Sequence, residues 1–137
     1  MTMATIAKTS RGYRNNNPLN IRKSQQTYVG EIQGEDKSFK TFKTMAYGFR
    51  AGFKILRTYI HKYKLDSIEK IITRWAPPSE NDTGAYIRFV CTRTGRRPMQ
   101  LIYFTPLDMI PIVLAMAEME NGLPIERLYA EEGWDLL

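Results

Sequence analysis

One cysteine and one histidine are all that this chain offers to thiol, imidazole or zinc chemistry. A lone Cys91 makes no internal disulfide, so the fold owes nothing to oxidation. The paired Cys/His spacing of a zinc site, a P-loop and a G-x-S-x-G elbow are all missing. No apolar run approaches the roughly 18 residues needed to span a bilayer. The start, MTMATIAKTSRGYRNNN, lacks the apolar stretch of a Sec signal. Acidic residues are scarce in one half: residues 1–64 hold three Asp/Glu against thirteen Lys/Arg, net +10, whereas residues 65–137 hold eleven against seven, net −4. A basic half suggests a polyanionic partner: nucleic acid, an anionic membrane surface or a cell-wall polymer. The basic residues are not gathered in one DNA-reading helix, which ranks nucleic acid last.

What is present is ordinary for a globular chain: 137 residues, 43% hydrophobic, 12% aromatic and 25% charged, which excludes collagen, coiled coil and wholesale disorder. Residues 1–12, rich in Thr, Ser, Ala and Lys, read as a flexible arm, and residues 13–137 as a single domain. Residues 13–43 lack helical periodicity and read as loop and short strands around Leu19–Arg22, Thr27–Gln33 and Ser38–Phe42. Helices should then dominate. The first follows a Thr44 cap, with Phe49, Phe53, Leu56 and Ile60 on one stripe and Gly48 and Gly52 on a face open to another backbone. The second starts at Asp66, buries Ile68, Ile71, Ile72 and Trp75, and stops at Pro77-Pro78. The third runs from Asn81-Asp82-Thr83 to Gly95, with Tyr86, Ile87 and Val90 inward. The fourth is expected to start at an Asp108 cap, leaving Pro111 in the first turn, and to bury Ile110, Val113, Leu114 and Ala117 before Asn121-Gly122 ends it. A last short helix or turn should return Leu123, Ile125, Leu128 and Trp134 to the body. The class is α+β: mainly helical with a small N-terminal strand lobe.

With no nucleophile or metal cluster in view, carboxylates must carry any chemistry. Glu120 ends an apolar helix and is followed at once by a turn. The partial negative charge of a helix C-terminus, and any burial, raise a carboxyl pKa toward the range of a general acid. The plain alternative is a solvated charge at a helix end. Glu80 follows two stiffening prolines and sits beside a helix N-terminus, which suits a base, a stabiliser or a cap. Asp36, in a Glu35-Asp36 turn, is a third candidate, with simple turn chemistry as its alternative. The stretch Arg11–Arg22 holds four side-chain amides, Asn15, Asn16, Asn17 and Asn20. They can hold hydroxyls and acetamido groups or brace their own backbone. Tyr28, Trp75 and Tyr86 could line a carbohydrate cleft or simply fill the core. His61 reads as a helix-end side chain and Cys91 as a small buried hydrophobe.

The stretches RGYRNNNPLNIR, DKSFKTF, YGFRAGFKILRTYI and IITRWAPPSENDTGAYI resemble a group of small phage and prophage proteins. These are variously described as virion structural proteins, endolysin-like proteins or lysozyme-like peptidoglycan hydrolases. Their usual pattern is RGxRNNNPGNIR followed by W-x-G; this chain carries Leu19 in place of the glycine and Tyr28 in place of the tryptophan. The likeness covers about residues 11–90. A looser likeness ties AMAEMENG and NNNPLNIR to lysozyme-like glucosaminidases and transglycosylases, in which a helix ends in a catalytic Glu and an Asn-Asn segment then opens the strand lobe. The order is reversed here, so the resemblance implies a circularly permuted lysozyme-like fold.

On that reading Glu120 is the general acid, Glu80 the second catalytic carboxylate, and Asn15, Asn16, Asn17, Asn20, Asp36 and Tyr86 bind substrate. The expected activity is cleavage of the peptidoglycan glycan strand, as a muramidase, glucosaminidase or lytic transglycosylase. No metal and no cofactor are implied. The partners would be peptidoglycan or an anionic wall polymer, and other virion proteins. The chain would be made in the bacterial cytoplasm and reach the wall by lysis, a holin-like pore or virion delivery. Two rivals stand: a non-catalytic virion structural or wall-binding protein with the same fold, and nucleic-acid binding.

Overall fold

Ser10 opens the part of the chain described by the computed structural model, residues 10–137. Its hydroxyl accepts from the Tyr13 amide and caps a single turn, α1 (Arg11–Arg14). Of the expected arm, residues 1–9 lie outside the described residues, and Ser10–Gly12 belong to this capped turn. One turn is too short to leave a periodic apolar signal, which is why the sequence reads there as loop.

The strand lobe is smaller than expected. It consists of a hairpin of β1 (Glu31–Ile32) and β2 (Thr41–Phe42), antiparallel with Glu31 opposite Phe42, plus an isolated bridge between Arg22 and Phe39. Lys40 is buried beneath it. Its ammonium is neutralised by Glu31 at 3.0 Å and donates to the Gln26 carbonyl at 2.8 Å, as a buried charge requires.

The helical body follows: α2 (Met45–His61), α3 (Ile68–Trp75), α4 (Thr83–Thr94), α5 (Pro106–Asn121) and α6 (Arg127–Asp135). Thr44 caps α2 as expected, accepting from the Tyr47 amide. Phe49, Phe53, Leu56 and Ile60 are buried together, each large side chain stabilising the fold by roughly 1.5–3 kcal/mol. Gly48 takes the backbone of the N-terminal lobe, because a Cβ there would collide with the Asn16 carbonyl. Gly52 makes room for the Leu19 side chain. On α6, Gly133 lets α2 approach: an added Cβ would lie 2.7 Å from the Ala46 carbonyl oxygen.

Three expectations about boundaries change. The cap of α3 is Ser67, accepting from the Lys70 amide; Asp66 pairs instead with Lys70 at the surface. The cap of α5 is Thr105, and Pro106 takes the first turn. Pro111 therefore sits one turn deeper than expected. A proline there leaves the carbonyl four residues earlier, that of Leu107, without its helical donor. Arg96 supplies the replacement, donating to the Leu107 carbonyl at 3.2 Å and to the Asp108 carboxylate at 2.8 Å. Finally, Leu128 is exposed; the inward face of α6 is made by Ala130 and Gly133. Trp134 does return to the body, edge-on to Phe53 at 5.1 Å. Burial of α5 extends beyond the expected stripe to Met109, Ile112, Ala115 and Met116, so the helix runs through the core. Among the described residues no helix is long and apolar enough to cross a membrane.

Candidate active site

The lobe and the body meet along a groove of about 250 Å³. Asn20, Arg22 and Phe39 line it from the lobe; Tyr59 of α2, Trp75 of α3, Glu80 of the following loop and Glu120 of α5 line it from the body. The lobe wall is built by the asparagine run. The Asn15 amide donates to Asp36 and its oxygen accepts from Thr41. Asn16 donates to the Phe42 carbonyl. Asn17, fully buried, donates to the carbonyls of Ile21 and Lys40 and accepts from the Ile21 amide. These three amides brace the lobe and do not line the groove. Asn20 is different. It holds a left-handed backbone, φ 52°, which Asn tolerates, and from there it reaches the carboxylate of Glu120 at 3.2 Å.

Glu120 is the penultimate residue of α5, and its carboxylate collects donors from four parts of the chain. Tyr86 donates its hydroxyl to Oε2 at 2.9 Å, the Trp75 indole N–H points at the same oxygen at 3.4 Å, and Asn20 serves Oε1. Burial is the largest influence on its acidity and raises the pKa above the ordinary glutamate value. The hydrogen bonds from Tyr86, Asn20 and Trp75, and the charge of Arg22, pull the other way without cancelling it. Tyr86 is itself held protonated, its pKa driven well up by burial and by the neighbouring carboxylate, so it acts as a standing donor. The arrangement is a carboxyl poised to carry a proton yet able to stabilise its own anion.

The next two residues complete the position. Asn121 donates to the Pro18 carbonyl and back to the Ala117 carbonyl, both at 2.8 Å, and accepts from the Ser10 hydroxyl at 2.7 Å. Gly122 ends the helix with φ 80°. Asn121 thus clamps the N-terminal lobe to the end of α5. In the sequence it is legible only as part of a stop signal.

Over 122 residues the chain is 48% identical to protein P5 of Pseudoalteromonas phage PM2, a match that covers 85% of this chain and 74% of that protein. The chain belongs to the P5 family. No family model matches it.

In this P5-family chain the other predicted site residues fall in three places. Glu80 lines the groove, is exposed, and its carboxylate makes no hydrogen bond among the described residues. The capping role open to it is filled by Asp82, which accepts from the Ala85 amide at 3.1 Å. Asp36 lies elsewhere in the lobe, gripped by Arg11 through both carboxylate oxygens (2.6 and 2.7 Å) and by the amides of Ser38 and Phe39. The Arg11 guanidinium and these amides hold its carboxyl far below the usual carboxylate range. Tyr86 is buried behind Glu120, where it positions the acid. Of the aromatic candidates, Trp75 lines the groove. Arg22, Phe39 and Tyr59 are groove residues that sequence reasoning did not single out. No group of three His, Cys, Asp or Glu side chains that could hold a metal ion occurs among the described residues.

Proposed function

We propose that this phage-type protein cleaves the glycan strand of peptidoglycan, with Glu120 as the general acid that protonates the glycosidic oxygen. The observation that carries the reading is the carboxyl itself. It is buried, raised in pKa, served by Asn20, Trp75 and Tyr86, and placed on the wall of a groove. Asn20 reaches it from 100 positions earlier in the chain. That pairing supports a circularly permuted lysozyme-like arrangement, since the amide-rich segment and the helix-terminal glutamate meet despite their reversed order. Asn20, Arg22 and Trp75 would contact sugar, while Asn15, Asn16 and Asn17 hold the wall that carries Asn20. Glu80 would be the second carboxylate, free to face the substrate or the attacking water.

The test is clearance of purified cell walls. Wild type should clear them, and Glu120→Gln should lose about 10²- to 10⁴-fold, the usual contribution of a general acid. If wild type sediments with walls but releases no fragments, the chain is a wall-binding virion component and the catalytic reading fails.

A further inference from the structure

A second concavity, of about 400 Å³, adjoins the groove and shares Ile55 and Tyr59 with it as a common wall. It is lined by Lys54, Arg57 and Arg74 together with Tyr28, Tyr59 and Tyr63. No carboxylate lines it, and none of the three cations forms an ion pair among the described residues. Arg74 is held by stacking, its guanidinium 4.1 Å from the Tyr63 ring centre and 5.2 Å from that of Tyr59. Arg57 lies over Phe104 at 5.9 Å. Like charges gathered in a concave wall repel: Arg57 and Arg50 lower the pKa of Lys54. Elsewhere in the molecule cations are matched, as in Arg11–Asp36, Lys40–Glu31, Arg93–Glu118 and Arg96–Asp108. The unmatched set is therefore local to one hollow, and that hollow continues the groove that holds Glu120.

We propose that this tyrosine- and cation-lined pocket is an anion subsite of the same cleft, taking a carboxylate of the peptide stem on the glycan strand. The inference rests on the glycan-cleaving reading. A strand lying along the groove carries stems at intervals, and each stem bears free carboxylates. A stem leaving the sugar near Tyr59 would enter a wall with three cationic donors and no competing acid. The planar guanidinium of Arg74, fixed between two rings, offers the paired N–H groups that a carboxylate accepts.

Binding measured by calorimetry on the Glu120→Gln form, which does not consume its ligand, tests the proposal. Three probes are compared: glycan strands with their stems, the same strands stripped by an amidase, and a short DNA duplex. Stem-bearing strands should bind about tenfold more tightly than stripped ones. Adding Lys54→Gln and Arg74→Gln should erase that difference and leave stripped-strand affinity unchanged. Removing like charge relieves repulsion, so an unchanged melting temperature is expected for the combined variant. Equal binding of both glycan forms overturns the subsite while leaving the glycan reading intact. Failure of both glycans to bind overturns the glycan reading and the subsite with it. Tighter binding of the duplex, lost with the two substitutions, would assign the pocket to nucleic-acid phosphate and overturn the proposal.

Discussion

A carboxyl that must both give and recover a proton needs a raised but reachable pKa, and the residues around Glu120 divide that task. Burial raises it, and Tyr86, Asn20 and Trp75 restrain the rise by bonding the anion. Tyr86→Phe removes one of those bonds, so the pKa of Glu120 should climb further. The alkaline limb of the pH–activity profile, where the acid is lost, should move to higher pH. A second expectation concerns stability. The folded-state pKa of Glu120 lies above its unfolded value, so the favourable contribution is present below about pH 4.3, the ordinary glutamate range, and is lost as pH rises through the folded pKa. Glu120→Gln escapes that loss. Its melting temperature should exceed wild type by a few degrees at pH 8, and the gap should close as pH falls toward 4. The variant can be accommodated because the Asn20 Oδ1 is buried without a hydrogen-bond partner among the described residues. Turning the Asn20 amide over would present that oxygen to the new amide. The glutamate was legible in the sequence because a charge at the end of an apolar helix is conspicuous. Its partners were not, since Tyr86 and Trp75 carry the same periodic signature as core residues.

Elements were legible where cap and apolar stripe agree. For α2 and α4, Thr44 and Asp82 each stand one residue before a periodic run, and both accept from an amide in the first turn. They were misplaced where several cap residues compete. Asp66 and Ser67 both suit the start of α3; the helix uses Ser67, leaving Asp66 to pair with Lys70. For α5 the rule against interior proline argued for Asp108, yet the helix starts at Thr105, because Arg96 from the preceding loop serves the carbonyl that Pro111 leaves vacant. That compensation has a measurable consequence. Arg96→Met should cost about 1–2 kcal/mol, for the lost carbonyl bond and the partly buried pair with Asp108. It should appear as a lower urea midpoint at unchanged slope.

At the scale of the molecule, the groove exists because the N-terminal lobe is fixed against the body at two points. One is the Asn121 clamp on Pro18 and Ser10. The other is the close seat of the Asn16 carbonyl on Gly48. Gly48→Ala forces backbone apart at the second point, where the neighbour cannot rotate away. The expected cost is about 1–3 kcal/mol, together with lower wall-clearing activity as Asn20 is drawn from Glu120; thermal melting and the clearing assay check both. By itself the sequence determined the α+β class, the helices that pack the core, the stop signals that bound them, and the carboxylate at the end of α5. These follow from local rules: spacing, caps and turn residues. Only the tertiary structure decided which of four asparagines faces the acid and which three brace the lobe, that Asp36 is occupied by Arg11, and that unmatched cations gather beside the groove. Each of those depends on contacts between residues far apart in the chain, and such contacts leave no periodic trace in the order of amino acids.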